Sequence, residues 1–243
     1  MSELVLCTVE DGLATLMLNR PEKLNALSIA AFREMAAHLD ALDSDTVGCL
    51  LLTGAGRSFC AGHDLDDLAA GTEGPEVALF ETGLIERIAN LPFPVVGAVR
   101  GHCYTGGLEL ILSADIIIAS DNAKFADTHS KWDLVPLWGL TQRLPRRVGE
   151  AKAKEMMFAS RTYSGAEAAA MGLANLCVPD TEFDTEVRRL CTDILANSRR
   201  SNREMKKLIG DTEGMPLSTG IAWELHRFPG HGPEFEARLA KLR

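Results

Sequence analysis

The sequence predicts an α/β fold, and three observations carry that expectation. Three compact apolar runs, 47–53, 94–99 and 115–119, read as strands, and each leads into a loop and most of a helix. Helical periodicity occupies 29–42 before the first run, 77–91 between the first two, and nearly everything after Gly149. No low-complexity tract or solenoid repeat interrupts the pattern.

The elements follow in order. Residues 3–19 read as two short strands joined at Asp11-Gly12, a dipeptide that favours a tight hairpin turn. A polar loop, PEKLNAL, leads to Ser28, a predicted N-cap for an amphipathic helix from Ile29 to Leu42 with Phe32, Met35, Ala36 and Leu39 on one face. The strand at 47–53 breaks at Gly54-Ala55-Gly56, and the loop RSFCAGHDLDDL follows. The segment Ala70 to Glu76 is polar and rich in Gly and Pro, and reads as a mobile surface stretch before the helix at 77–91. After Asp121 a loop runs into a helix expected from about Trp138. Further helices are expected at 150–159, 164–171, 180–197, 199–210, 217–228 and 233–242, interrupted only by the apolar NLCV at 175–178.

Composition narrows the function. Among 243 residues, 25 Lys and Arg face 34 Asp and Glu, a net charge of −9 that argues against nucleic acid as the main partner. The basic residues cluster at 143–147, 188–189 and 199–207, where a small anion or a solvated face is the expectation. The six cysteines lie apart, without C-x-x-C or zinc-finger spacing, and no metal site is expected. MSELVLCTVEDG has no basic n-region, and no run approaches the ~20 apolar residues of a membrane span. A cytoplasmic location without membrane association is the expectation.

The chain is organised around VVGAVRGHCYTGGLELILSADIIIA, residues 95–119. Glu109 is a carboxylate inside an otherwise apolar run there, and burying it requires a partner or a shifted pKa. It lies three residues after Gly106, the expected helix start. Two readings fit: Glu109 caps its own helix, or it is an acid/base group beside backbone N–H donors that serve an oxyanion. A second loop, SFCAGHDL at 58–65, also leaves a strand and offers amides near a glycine. Two amides converging on one carbonyl oxygen make an economical oxyanion hole.

NRPEKLNAL, FCAGHDL, GGLEL followed by SADIIIAS, and LTQRLPRRVG stand in the order and spacing of the crotonase superfamily, the enoyl-CoA hydratases and isomerases, which the whole chain resembles. The resemblance implies a spiral of β-β-α turns over residues 1–195 and a C-terminal helical trimerisation region over 196–243, assembled as a homotrimer or homohexamer. It implies an acyl-CoA substrate, with coenzyme A entering as part of that substrate and no separate cofactor. The thioester oxygen would sit between the N–H groups of His63 and Gly106. His63 departs from the alanine more common at its position.

Glu109 falls on one of the two glutamates of a typical hydratase. The second position holds His129, and no glutamate occurs between Asp121 and Arg147. An imidazole titrates near neutrality and so can replace a carboxyl as acid or base. Alternatively Asp127 orients His129 for another reaction of the family, or His129 is a structural pocket residue. Hydration of a 2-enoyl-CoA is the leading expectation. A single-glutamate isomerase, a His/Asp-dependent hydrolase and a catalytically silent acyl-CoA-binding relative are the alternatives.

For coenzyme A, the resemblance implies Lys23 near the phosphates, with Arg20 second, backbone around Ala61, Asp64 and Leu65 lining the adenine site, Asp66 as a further binding residue, and Lys206 reaching the nucleotide of the same or a neighbouring subunit. Leu68, Tyr104, Trp132, Leu137 and Trp138 are expected at the acyl pocket. The two tryptophans either narrow it, stack on a ring or anchor the loop's core. The Ala70–Glu76 segment is the expected cover.

Overall fold

The computed structural model describes residues 3–70 and 74–241, without the side chain of Leu68. Strands β1 (Val5–Glu10) and β2 (Leu13–Leu18) form an antiparallel hairpin. Asp11 (φ 51°) and Gly12 (φ 85°) take the left-handed conformations that such a two-residue turn requires. A short 3₁₀ turn at Pro21–Lys23 precedes helix α1 (Ile29–Ala41). The Ser28 hydroxyl caps α1 by accepting from the Ala31 N–H.

Strand β3 (Cys49–Gly54) is followed by α2 (Leu65–Ala69) and α3 (Pro75–Ala89). Then come β4 (Val95–Val99), β5 (His102–Tyr104), α4 (Gly106–Ile111), β6 (Ile116–Ser120) and β7 (Lys124–Ala126). Helices α5 (Leu140–Val148) and α6 (Glu150–Ala159) lead to β8 (Tyr163–Ser164) and α7 (Gly165–Ala170). Strand β9 (Leu176–Val178) precedes α8 (Phe183–Ala196), α9 (Arg199–Asp211), α10 (Leu217–Arg227) and α11 (Phe235–Ala240).

Two sheets result. The larger has the order β1-β2-β3-β4-β6-β9 and is parallel beyond its first hairpin. The smaller has the order β5-β7-β8. An isolated bridge between Cys60 and Cys103 extends the smaller sheet toward the loop after β3. Each turn of the chain thus contributes a strand to the large sheet, a short segment to the small one, and then a helix. This is the spiral of β-β-α turns that the family resemblance implies. The small sheet is an addition to the sequence reading, which treats 101–105 as a turn.

Strand alternation divides the core. Val95 and Val99 face the main apolar cluster with α1 and α3 residues such as Phe32 and Ile85, whereas Val96 and Ala98 face α8 through Phe183, Val187 and Cys191. Arg100, at the end of β4, closes this second layer. Its guanidinium stands 4.8 Å from the Phe183 ring centroid and pairs with Asp180 at 2.6 Å.

Helices α9, α10 and α11 contain no buried residue. Among the described residues no helix is long and apolar enough to cross a membrane. The segment Ala70–Glu76, expected as a cover, lies in part outside the described residues.

Candidate active site

The large sheet's strands end at a cluster of loops, and the candidate site forms there. The loop after β3 is clamped from two sides. Cys60 N–H donates to His102 O, and Tyr104 N–H donates to Cys60 O. On the other side Leu27 N–H donates to Gly62 O, and Asp64 N–H donates to Leu27 O. Asn25, buried and left-handed (φ 57°), stiffens the preceding loop by accepting from Arg20 N–H and donating to Ala55 O and Ser58 O.

This clamp presents His63 beside the start of α4. A Cβ placed on Gly106 would lie 3.3 Å from His63 N, and one on Gly62 would lie 3.6 Å from Gly106 N. The two amides therefore border one small space. Gly106 occupies the first position of α4, where an N–H has no acceptor within the helix. Gly107 is equally constrained, because a Cβ there would meet Cys60 O at 2.5 Å. The two glycines allow α4 to start directly against the β3 loop.

Glu109 is 2 % exposed, and its carboxylate does not cap its own helix. Oε1 accepts from Trp138 N–H at 2.8 Å and from Leu140 N–H at 3.4 Å, while Oε2 stands 3.6 Å from His129 Nε2. His129, also buried, is held from behind: its Nδ1 lies 2.5 Å from Asp127 Oδ1, and Asp127 is 1 % exposed. A carboxylate accepting at Nδ1 fixes the ring so that Nε2 faces Glu109. Burial raises the Glu109 pKa; the adjacent imidazole and the two backbone donors oppose that rise without cancelling it. The result is a line Asp127–His129–Glu109, able to hold and pass a proton, in the same loop cluster as the two neighbouring amides.

Thr105, just before α4, has φ 49° and ψ −108°, a strained backbone for a β-branched residue. Its hydroxyl pairs with Thr128 Oγ1 at 2.5 Å and accepts from Thr128 N–H at 3.3 Å, and its own N–H donates to Ala126 O. The start of α4 is thereby tied to the residue preceding His129. Sequence patterns carry no signal for this pair or for Asn25.

Other expected residues fall differently. Trp138 is buried within the site, edge-on to Phe32 with centroids 4.9 Å apart and 5.1 Å from the His63 ring. The His63 imidazole thus turns inward and shapes the pocket. Alternation along β5 puts Tyr104 on the face of His102, whose ring it meets edge-on at 5.0 Å. Both belong to a separate groove of about 740 Å³, with Arg57 and Lys124, whose lining omits Glu109 and His129. Trp132 and Leu137 are each 62 % exposed. The side chain of Leu68 lies outside the described residues.

Among the coenzyme A candidates, Lys23 is exposed and only loosely paired with Asp66 at 3.2 Å. Leu65 is 62 % exposed beside it, and Ala61 sits in the clamped loop with its N–H bonded to Leu24 O. Arg20 does not reach outward. It is inside the loop cluster, bonded to Asp64 at 2.7 Å and to Ala26 O, and it helps hold the Asp64 carboxyl below its usual range. Lys206 pairs with Asp115 at 2.7 Å and donates to Phe93 O, at the N-terminal ends of β4 and β6, whereas this chain's own site lies at their C-terminal ends. Among the described residues no group of His, Cys, Asp or Glu is placed to hold a metal ion.

Comparison with known proteins adds three findings. The family model described as enoyl-CoA hydratase/isomerase matches residues 8–232. The 1,2-epoxyphenylacetyl-CoA isomerase of Escherichia coli is 36 % identical over 231 residues, covering 92 % of this chain and 88 % of the relative. Among solved structures, an enoyl-CoA hydratase from Bacillus anthracis superposes with a TM-score of 0.93 at 29 % identity, over 98 % of this chain and 95 % of the other. A Thermobifida fusca protein crystallised with acetoacetyl-CoA reaches 0.86 at 29 % identity, over 98 % and 96 %.

Proposed function

Because the chain belongs to the enoyl-CoA hydratase/isomerase family, we propose that it adds water to the double bond of a 2-enoyl-CoA, giving the 3-hydroxyacyl-CoA. The observation that carries this reading is the pairing of buried Glu109 with an Asp127-held His129 beside the neighbouring amides of His63 and Gly106. The acetoacetyl-CoA complex of a structural neighbour supports a CoA thioester as the substrate class.

In this reading the thioester oxygen accepts from the two amides, which stabilise the enolate that forms as C3 is attacked. In this scheme Glu109 carries a proton at the outset, as its burial favours, and His129 Nε2, with Nδ1 held by Asp127, accepts a proton of water. The water oxygen bonds to C3, Glu109 delivers its proton to C2, and the proton taken by His129 returns to Glu109. Asp127 stabilises the imidazolium between these steps. No metal or redox group enters the scheme. Lys23 and the Ala61–Asp66 backbone are the proposed contacts to coenzyme A.

A second reading is a double-bond shift within the acyl group. It is favoured by the isomerases that the family description includes and by the absence of a second glutamate beside Glu109 between Asp121 and Arg147. Mass spectrometry of the products from 2-butenoyl-CoA separates the readings. Hydration adds one water, a shift adds nothing, and hydrolysis frees coenzyme A. Hydration is expected, with a loss of about 10²–10⁴-fold in Glu109→Gln. Wild type that leaves every 2-enoyl-CoA unchanged contradicts the hydratase reading.

Oligomerisation belongs to the same proposal. Leu217, Ile221 and Leu225 recur along one face of α10 and are 60–80 % exposed, and Met205 and Ile209 on α9 are exposed as well. Further copies of the chain, in a trimer or a pair of trimers, are the proposed cover for these faces.

A further inference from the structure

Trp138 touches both halves of the site. The benzo edge of its indole lies against Gly106: a Cβ there would meet Cζ3 at 2.6 Å and Cε3 at 3.3 Å, at a point 3.3 Å from His63 N. Its own N–H donates to Glu109 Oε1 at 2.8 Å. One residue therefore orients the carboxylate with its backbone and borders the amide pair with its ring.

The ring is also held from behind. Phe32 meets it edge-on, the His63 imidazole lies alongside, and only 3 % of Trp138 is exposed. The backbone is pinned on both sides, by Thr82 Oγ1 donating to Leu137 O at 3.3 Å and by Arg143 donating to Trp138 O at 2.9 Å. Arg143 is anchored in turn by Glu86 at 2.6 Å. A ring packed in this way is a wall, since close-packed interiors do not yield a large side chain's volume without strain.

We infer that Trp138 sets the acyl-length limit of the site, so that the protein takes short acyl thioesters and excludes long ones; this rests on the acyl-CoA reading above. An acyl chain leaving the amide pair has the indole in its path within the first few carbons. A longer chain can be accommodated only by displacing a ring that Phe32, His63 and the anchored backbone hold in place. The same packing explains why position 106, the first of α4, must be glycine: any side chain there competes with the ring for one space.

Calorimetric titration with coenzyme A, butanoyl-CoA and decanoyl-CoA tests the inference without depending on the reaction catalysed. Wild type is expected to bind butanoyl-CoA at least about tenfold more tightly than decanoyl-CoA, the scale on which a hydrophobic pocket discriminates by a few methylenes. In Trp138→Ala the ratio is expected to close or reverse. Trp138→Leu, which keeps more of the buried volume, should shift it in the same direction by less. Wild type that binds decanoyl-CoA as tightly as butanoyl-CoA overturns the inference, whatever the variants do. A folded Trp138→Ala or Trp138→Leu with an unchanged ratio also overturns it. Failure of wild type to bind coenzyme A or either thioester instead removes the acyl-CoA reading itself, and the inference with it.

Discussion

Glu109 is a carboxyl that the fold makes expensive to ionise. Its folded pKa lies above the ordinary glutamate range because burial outweighs the Trp138 and Leu140 donors and the His129 ring. A raised folded pKa means that folding favours the protonated form. Its stabilising contribution is present below the unfolded-state pKa and is lost as pH rises through the folded one. Glu109→Gln keeps the shape and an acceptor for the Trp138 N–H while removing the ionisation. The variant should therefore melt at a higher temperature than wild type at pH 8, with the gap shrinking as pH falls toward 4. A melting difference that is the same at both pH values would refute the account of this carboxyl. The residue was legible in sequence because a charge inside LELIL is costly, and the helix-cap alternative was equally legible. What decides between them is Trp138 N–H, 29 residues away. His129 was legible only through the register of the neighbouring motifs, and Asp127 only as an alternative orienter of it; the 2.5 Å contact between them is seen in the structure. Arg20 was not legible: a loop arginine reads as a ligand contact until Asp64 is seen beside it.

At the scale of elements, patterns with a period survived and short pieces did not. Helix α1 begins where Ser28 predicts, and β4 ends within the expected run, because an apolar face and a capping hydroxyl are local signals. Helix α5 starts at Leu140 rather than near Trp138, since Gly139 before it takes a left-handed conformation (φ 97°). Strands β5, β7 and β8 have two or three residues each, too few for alternation to register. Yet the small sheet they form aligns the site: Cys103 receives the β3 loop, and Ala126 receives Thr105. Thr105 pays for its left-handed backbone through the Thr128 hydroxyl, a contact between elements that sequence spacing does not encode.

The whole molecule pairs a closed spiral core with an open helical end. The core was legible as an α/β fold from three apolar runs, and its coil from the order of four motifs. The end was legible as helix but not in its docking. Arg199 and Arg203 bond the carbonyls of Asp45, Thr46 and Ser44, and Lys206 pairs with Asp115, so basic residues that suggested an anion site instead fasten α9 to the core. The apolar faces left on α9 and α10 lead to the expectation of a stable assembly. Light scattering at micromolar concentration should give three or six times the chain mass, and a single-chain mass would contradict it. The central claim concerns the site: that two amides and a Glu109–His129 pair act on one CoA thioester. A crystal structure with bound butanoyl-CoA tests it most directly. The account predicts the thioester oxygen within hydrogen-bonding distance of both His63 N and Gly106 N, with C2 and C3 between Glu109 and His129. A thioester oxygen bonded to neither amide, or C2 and C3 turned away from that pair, would contradict it.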